Sequence, residues 1–415
     1  MSVRRLPKLR AIESIVVPDP RFGRMLVLRD PQGIADGALQ VPPPLVTIVA
    51  RFDGTQSTQA IARAEEVDEH EVRQLVELFD AHGFLESPAF EARLREAQRA
   101  FDALSVRPAA LAGAAYPGTA KELRTYIQEK CTLQVSAGAP IRALAAPHID
   151  PWRGARGYGA SYGALASRLD PAADTFLVLG TSHALMHEPF ALCDKGYATP
   201  FGALDCDHDA VARLASAARF DPYRDRLNHQ REHSIEFQAV FLRHLLGARK
   251  ARIIPVLCGL GAFQASSRSP RDDADAARFL DAMAELVADY GARMVVVAGV
   301  DLAHVGPRFG DLAPDAEARA ALGETDAASL ARFEAREREE FWEHVAADLD
   351  TRKVCGLAPM YSLLWAIGEG SAGERVHYEQ TVDADDGSVV SHAGVVFPSR
   401  GEARSVPVCV GDRSE

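Results

Sequence analysis

Three short apolar segments of this chain each end in polar residues that could carry chemistry. They are ALAAPHIDPWR at 143–153, FLVLGTSH at 176–183 and MVVVAGVDLAH at 294–304. The polar side chains that end these segments include His148, His183, Asp301 and His304. Histidine can bind a metal ion, and with an unperturbed pKa of about 6.5 it can also exchange protons at neutral pH. The pattern therefore indicates acid–base or metal chemistry.

Buried strands are the elements that must position these residues. A continuous apolar run bounded by turn residues is typical of a strand covered on both faces, as in parallel sheets whose strands are joined by helices. Ligands of such sheets bind just beyond the carboxyl ends of the strands, so we expect one shared site. Strands are predicted at 141–146, 175–179, 251–257, 294–300 and 387–397.

Helical patterns alternate with these strands. They lie at 121–130, 157–169, 234–246 and 279–290, and a charged surface helix is predicted at 330–349. The final strand at 387–397 is expected to pair with the end of the chain. The predicted fold class is α/β, with a mixed, largely parallel central sheet flanked by helices.

Length and charge limit the possible classes of protein. With 415 residues, 47% of them hydrophobic, the chain can fill the cores of two domains. A formal net charge of −12 argues against non-specific binding to nucleic acid or to an anionic membrane. No apolar run approaches the roughly 18 residues of a membrane helix, and the basic start lacks the apolar core of a signal peptide. We expect a cytoplasmic protein with no nucleic-acid or membrane partner.

The six cysteines are scattered along the chain without any C-x-x-C pair. This spacing suits neither a disulfide framework nor a structural zinc knuckle. Most of the cysteines are therefore expected to be buried free thiols in a reducing compartment.

The N-terminal hundred residues follow a different pattern from the rest. We predict a tail at 1–24, a small winged-helix-like module at 25–90, a linker helix at 91–110, the main α/β domain at 111–400 and a tail at 401–415. Within the module, Ser57 and Thr58 can cap a short helix, and Gly83 can end the next one before the extended Phe84 and Leu85. Its acidic helices disfavour DNA binding. A helical cap on the main domain is the simpler alternative.

Eight ordered motifs give the main domain a resemblance to a known family. They are AAYPG at 114–118, APHID at 146–150, LGTSH at 179–183, TPFGALDCD at 199–207, EHSIEFQ at 232–238, IIPVLCG at 253–259, VDLAH at 300–304 and VCGLAPM at 354–360. In this order they resemble the Memo family. The resemblance implies a fold similar to the class III extradiol dioxygenases, which are non-haem iron enzymes.

The resemblance also implies partners. Bacterial and archaeal members look like the B component of the AmmeMemoRadiSam system, which also has a radical-SAM protein and an AMMECR1-like protein. The N-terminal module resembles the small PqqD-type domains that present peptides in radical-SAM systems, so a peptide is a further expected partner.

A metal site follows from the same resemblance. His148 and His183 match the two metal-binding histidines of the family, and Cys355 matches its metal-binding cysteine. Imidazole and thiolate suit iron(II), copper or zinc rather than magnesium or calcium, and iron(II) is the first expectation. Without the resemblance, Cys355 reads equally well as a buried small hydrophobic residue.

Further residues are expected to act beside the metal. Asp301 is predicted to orient its neighbours and His304 to act as a general acid or base. The alternative is that Asp301 caps a turn and His304 hydrogen-bonds to it. His233 and Glu236 share one face at the start of a helix and are predicted to handle protons together, unless they form only a polar helix cap.

Two departures from the commoner family pattern concern the substrate. The AAYPG motif lacks the tryptophan often found before the tyrosine, here Tyr116. PHIDPWRG replaces the usual PHAGY and places Asp150 and Arg153 beside His148. We expect Tyr116, Asp150 and Arg153 to contact the substrate, which should differ from that of other members.

Three functional hypotheses follow. The first is a redox enzyme that uses non-haem iron or copper and acts with a radical-SAM system. The second is a metal-binding or peptide-presenting partner protein without catalysis. The third is a zinc hydrolase, in which a metal-bound water has a pKa of about 7.

Overall fold

A small N-terminal unit begins with an antiparallel sheet and continues with helices. The computed structural model describes residues 8–266 and 268–399. The elements of the small unit are β1 (Glu13–Asp19), β2 (Gly23–Arg29), β3 (Ala38–Val41), α1 (Pro43–Ala50), α2 (Thr58–Glu65), α3 (Glu69–Ala81) and α4 (Pro88–Asp102). Strand β2 pairs with both β1 and β3, so β1 is an edge strand.

The helices of this unit begin and end where the sequence indicates. The Ser57 hydroxyl accepts a hydrogen bond from Ala60 N at 3.2 Å and caps α2. Gly83 follows α3 with a φ of +80°, a left-handed conformation that favours glycine. Ile61, Val72 and Phe79 are buried in the core of the unit.

Two expectations for this part of the chain need correction. The predicted tail at 1–24 contains β1 and the first residues of β2, whereas residues 1–7 lie outside the described part. A single small strand beginning at Phe84 and Leu85 was expected after the helices, but the sheet precedes the helices, and Leu85 contributes only an isolated bridge with Leu9. The sheet escaped prediction because its strands are half-exposed and pair with one another rather than with a buried core strand.

Helix α4 connects the small unit to the large one. Its Phe101 packs against Cys193 and Leu227 of the large unit. The ammonium group of Lys195 donates to Leu104 O at 2.7 Å just after the helix ends. The predicted linker helix at 91–110 therefore ends earlier, at Asp102.

The large unit alternates strands and helices. Its elements up to the third core strand are β4 (Val106–Arg107), α5 (Ala120–Lys130), β5 (Ile141–Ala146), α6 (Pro151–Arg168), β6 (Thr175–Thr181), β7 (Phe190–Leu192), β8 (Gly196–Tyr197), β9 (Asp205–Cys206), α7 (His208–Ala217), α8 (His233–Leu246) and β10 (Arg252–Cys258). The remaining elements are α9 (Gly261–Ala265), α10 (Ala274–Tyr290), β11 (Met294–Gly299), β12 (His304–Val305), α11 (Ala316–Ala335), α12 (Arg338–Ala346), α13 (Leu357–Ile367), β13 (Glu374–Val382) and β14 (Val389–Pro398).

The central sheet is mixed and largely parallel, as predicted. Its order is β12-β14-β5-β11-β6-β10-β7, with β13 beside β14 and β9 beside β10. The core strands β5, β11, β6 and β10 are mutually parallel, whereas β14 and β7 are antiparallel to their core neighbours. Alternate residues of the core strands point to opposite faces. Helices α5, α6 and α8 cover one face, and α7, α10, α12 and α13 cover the other.

The C-terminal third differs from its prediction in two places. The predicted surface helix at 330–349 is two helices, α11 and α12, because Arg336 has a left-handed φ of 61° and ends the first. Helix α12 is not a surface helix, since Phe341 and Trp342 are buried. Strand β14 pairs with β5 and β13, and the chain end that was expected to pair with it lies outside the described residues, as does the predicted tail at 401–415. Among the described helices none is both long and apolar enough to cross a bilayer.

Candidate metal centre

Adjacent parallel strands bring the predicted site residues to one edge of the sheet. Gly299 at the end of β11 is in register with Ala146 of β5 and with Gly180 of β6. The segments that follow these strands carry His148, His183 and Asp301. Because the strands are parallel and end level with one another, these side chains meet beyond the same edge.

Cys355 reaches the same place from the loop before α13. The loop is held by two hydrogen bonds: Gly356 N donates to Asp301 O at 2.9 Å, and the Thr181 hydroxyl donates to Cys355 O at 2.8 Å. The Cys355 Sγ lies 3.1 Å from His148 Nε2. One donor atom each of His148, His183 and Cys355 lies within 4.8 Å of the others, which is close enough to hold one metal ion.

His148 is fixed by its backbone and by its second ring nitrogen. Its Nδ1 lies 2.9 Å from Gly299 O, and its backbone N–H donates to Asp301 Oδ1 at 3.0 Å. Since a carbonyl oxygen only accepts, Nδ1 carries the proton and Nε2 presents a lone pair toward Cys355. The side chain is 1% exposed. Asp301 therefore orients the His148 segment.

Glu232 fixes His183 in the same way. Its Oε2 accepts from His183 N at 2.8 Å, and its Oε1 lies 3.0 Å from His183 Nδ1. It also caps α8, since Oε1 accepts from Ser234 N at 3.0 Å. Glu232 lies within the EHSIEFQ motif, but no role was predicted for it. A carboxylate directly before a helix that starts with histidine was the signal that could have found it.

His233 and His304 complete the group of imidazoles. The His233 ring stacks on that of His183, with centroids 4.3 Å apart, and its centroid lies 5.2 Å from that of His148. The His304 ring packs edge-on against Phe309. The structure thus brings His233, His304 and Asp301 to the same cleft as the three candidate ligands.

Burial and one carboxylate dominate the electrostatics. Burial, helped by the His183 charge, lowers the pKa of both His148 and His233 to about 3, so both rings are neutral at neutral pH. Burial also acts to lower the pKa of His183, but the charge of Glu232 outweighs it and raises that pKa well above its usual value. Burial raises the pKa of the Cys355 thiol, so its thiolate needs a cation beside it.

Two residues predicted to act on the substrate lie elsewhere. Glu236 is fully buried and forms an ion pair with Arg107. It also accepts hydrogen bonds from the Tyr116 hydroxyl and from Leu111 N. Neither Glu236 nor Tyr116 lines the cleft. Both belong instead to a buried cluster that joins α8 to Arg107, Leu111 and Tyr116 at the start of the large unit. A buried carboxylate without such partners would be strongly destabilising.

The remaining predicted substrate residues separate from each other. Asp150 caps α6, accepting from Arg153 N at 3.1 Å and from Arg153 Nε at 2.6 Å. Arg153 lines the cleft, whereas Asp150 does not. The structure therefore places Arg153 beside the candidate ligands and gives Asp150 the position of a residue that orients it.

The cleft in front of the candidate ligands has walls from both units. Its volume is about 610 Å³, within the range of small-molecule sites. The N-terminal unit contributes Glu13, Ile15 and Val17 from one face of β1, together with Arg29 of β2. The large unit contributes Arg308, Phe309 and Lys353 among others. The β1 wall was not predicted, because residues 1–24 were expected to form a tail.

Comparisons with known proteins agree with this architecture. The family model described as Memo-like protein matches residues 107–396. A MEMO1 family protein of Aquifex aeolicus is 25% identical over 384 residues, covering 91% of this chain and 96% of the relative. One of Thermus thermophilus is 30% identical over 245 residues, covering 59% and 68%. One of Methanococcoides burtonii is 26% identical over 296 residues, covering 70% and 99%. The family match spans most of the large unit, from β4 into β14, and the chain belongs to the Memo family.

Proposed function

We propose that the protein is a metal-dependent redox enzyme that binds iron(II) through His148, His183 and Cys355. The observation that carries the proposal is the convergence of these three donor atoms within 4.8 Å from three separate segments. Two imidazoles and a thiol suit iron(II), copper or zinc and disfavour magnesium and calcium. Iron(II) or copper would supply one-electron chemistry there, whereas zinc would not.

The surrounding residues support this assignment. Gly299 O and Glu232 each engage the second ring nitrogen of a candidate ligand, which is the usual arrangement around metal-binding histidines. Three protein ligands leave a position for an exogenous ligand, and the cleft gives access to it. His233 and His304 line the cleft, and both are neutral at neutral pH because burial lowers their pKa values. They are the proposed proton acceptors for the substrate.

Fold kinship and partners are part of the proposal. Membership of the Memo family supports kinship with the class III extradiol dioxygenases and a cytoplasmic role beside a radical-SAM protein and an AMMECR1-like protein. The small unit is proposed to be a PqqD-like, winged-helix-like module that presents a peptide. Its β1 wall on the cleft supports a substrate held between the two units. Complexes with these partners should survive substitution of the candidate metal ligands, as a pull-down with the Cys355→Ser variant can show.

Metal content tests the central assignment. The protein is purified anaerobically from unsupplemented cells and analysed for metals beside Cys355→Ser and a matched control, Cys206→Ser, whose thiol is buried away from the cleft. We expect near-stoichiometric iron in the parent and the control, and loss of iron from Cys355→Ser. His148→Ala should also lose its iron while His304→Ala keeps it.

A vacant position can be tested directly. The ferrous protein should bind nitric oxide and give the electron paramagnetic resonance signal of an iron–nitrosyl centre. Zinc retained in a Cys355→Ser variant that also carries His377→Ala would favour the hydrolase instead, because zinc can activate a bound water without redox chemistry. Absence of any metal from the parent would favour the non-catalytic partner protein.

A further inference from the structure

A second group of metal-binding side chains lies on the hairpin of β13 and β14. Glu379 of β13 stands directly opposite His392 of β14, and His377 lies two residues before Glu379, opposite Gly394. Residues two apart on a strand share a face, so all three side chains point the same way. The pairing is regular from His377 to Val382, and the register shift in this hairpin lies before that stretch, between Arg375 and His377.

The ligand atoms of the three side chains converge, and the contact between His377 and Glu379 is a long ion pair rather than a well-formed hydrogen bond. His377 Nε2, Glu379 Oε2 and His392 Nδ1 are all buried and have no hydrogen-bond partner. One ligand atom from each residue lies within 4.8 Å of the others, and His377 Nε2 is 3.4 Å from Glu379 Oε2. Unsatisfied polar atoms are rare in protein interiors, and three that face one another require an explanation.

Neighbouring residues orient the group as they would orient metal ligands. The His392 Nε2 lies 3.0 Å from the Thr381 hydroxyl, which can accept its proton and leave a lone pair on Nδ1. Arg156 of α6 forms an ion pair with Glu379 through Oε1 and so leaves Oε2 free. Burial lowers the pKa of His377 and lowers that of His392 to about 4, so both rings are neutral.

Helix α6 comes close to the two histidines at Gly157, where a Cβ would also lie 2.7 Å from Pro147 Cγ, so this close approach requires glycine. A Cβ at Gly157 would lie 3.2 Å from His392 Nδ1 and 3.1 Å from His377 Cδ2. The His392 side chain is fully buried, whereas those of His377 and Glu379 are 13% and 19% exposed. An ion can therefore enter from the side of His377 and Glu379.

We propose that His377, Glu379 and His392 form a second metal site that binds a divalent transition ion such as zinc. Two imidazoles and a carboxylate are a donor set that zinc and iron(II) share, and no thiolate is present to favour a softer ion. The site shares no residue with the centre formed by His148, His183 and Cys355. Its occupancy is therefore independent of the function proposed above, and binding would join β13, β14 and the face of α6.

Zinc titration of the metal-free, full-length protein tests the proposal. The variant His148→Ala/His183→Ala removes the first centre, and isothermal titration calorimetry should still detect one bound zinc per chain. Adding His377→Ala or Glu379→Gln to that variant should weaken the remaining binding at least about tenfold. Zinc should also raise the melting temperature of the variant with only the first centre removed, and should lose this effect when Glu379 is replaced.

Matched controls separate the site from general binding of zinc to the surface. Glu374→Gln makes the same charge change on the same strand, but Glu374 pairs with Arg168. His70→Ala removes an exposed histidine of the N-terminal unit. Both controls should leave the second zinc in place. The proposal is overturned if the His148→Ala/His183→Ala variant binds no zinc, or if either His377→Ala or Glu379→Gln leaves its zinc affinity unchanged.

Discussion

Replacing Glu232 with glutamine should weaken metal binding although Glu232 is not itself one of the three candidate ligands. Its two carboxylate oxygens accept from His183 N, His183 Nδ1 and Ser234 N at 2.8–3.0 Å. Glutamine keeps one acceptor oxygen and puts an NH₂ group in place of the other. Whichever way the amide turns, at least one of these N–H groups faces a donor and loses its partner.

The size of the effect follows from this lost contact. If the amide nitrogen faces His183 Nδ1, the imidazole ring loses the acceptor that fixes its tautomer and its orientation. Changes to such partners of metal-binding histidines cost about 10- to 100-fold in metal affinity. That range corresponds to about 1.4–2.8 kcal/mol. The helix cap is weakened as well, so a loss of about 1 kcal/mol in the free energy of unfolding is expected beside the loss of affinity.

The assay is a competition titration of the metal-free protein with zinc and a chromophoric chelator, with parent and variants all carrying His377→Ala to remove the second proposed site, at a temperature well below the melting temperature. Glu236→Gln is the matched control, since Glu236 lies one helical turn further along α8 and its carboxylate also accepts backbone and side-chain hydrogen bonds. The control should bind zinc like the parent. A folded Glu232→Gln protein with the affinity of the parent would refute the role given to Glu232.

Three further predictions concern stability. Glu236→Gln should lower the free energy of unfolding by about 3–5 kcal/mol in denaturant titrations, because it leaves the buried Arg107 without its counter-charge; a loss below 1 kcal/mol would contradict this. Gly159→Ala should lower the free energy of unfolding by about 1–3 kcal/mol or more, since its Cβ would lie 1.6 Å from Cys131 O. Gly261→Ala is the control and should be neutral, because a Cβ there has no atom within 4 Å. Equal melting temperatures of the two variants would contradict this prediction. Burial acts to raise the pKa of Asp30, but Arg10 and two backbone N–H groups outweigh it, and the net pKa is lowered. The stability that ionised Asp30 contributes is therefore complete above about pH 4 and is lost as the pH falls through its folded pKa, so unfolding measured from pH 6 to pH 2 should show a shallower acid loss for Asp30→Asn.

The core of the large unit could be predicted because its signals are local. The segment 141–146 was predicted to the residue, and the other three core strands to within two residues at each end. A continuous apolar run that ends in Gly, Pro or Asp is typical of a buried strand, and the turn residues mark where the strand ends. The same reasoning placed His148, His183 and Asp301 at one edge of the sheet.

The errors arise where distant contacts decide the structure. Glu232 and Glu236 are only four residues apart at the start of α8, yet Glu232 contacts His183 whereas Glu236 lies in a buried ion pair. Glu236 finds its partner Arg107, 129 residues away in the sequence. The end of α11 at Arg336 could not be predicted, because the residue with the left-handed conformation there is an arginine rather than a glycine. His377 and His392 share a face only through the pairing of β13 with β14, which neither segment encodes alone.

The cleft is built from two parts of the chain, because strand β1 of the N-terminal unit forms one of its walls. The candidate metal ligands all lie within the part of the chain that matches the family, whereas Glu13, Ile15 and Val17 precede it. The groups that would hold the metal and one wall of the cleft in front of it are thus encoded in separate stretches. Exchange or loss of the N-terminal stretch during evolution would alter substrate choice and leave the metal ligands untouched. We expect relatives without this stretch to have a wider entrance and to accept bulkier molecules.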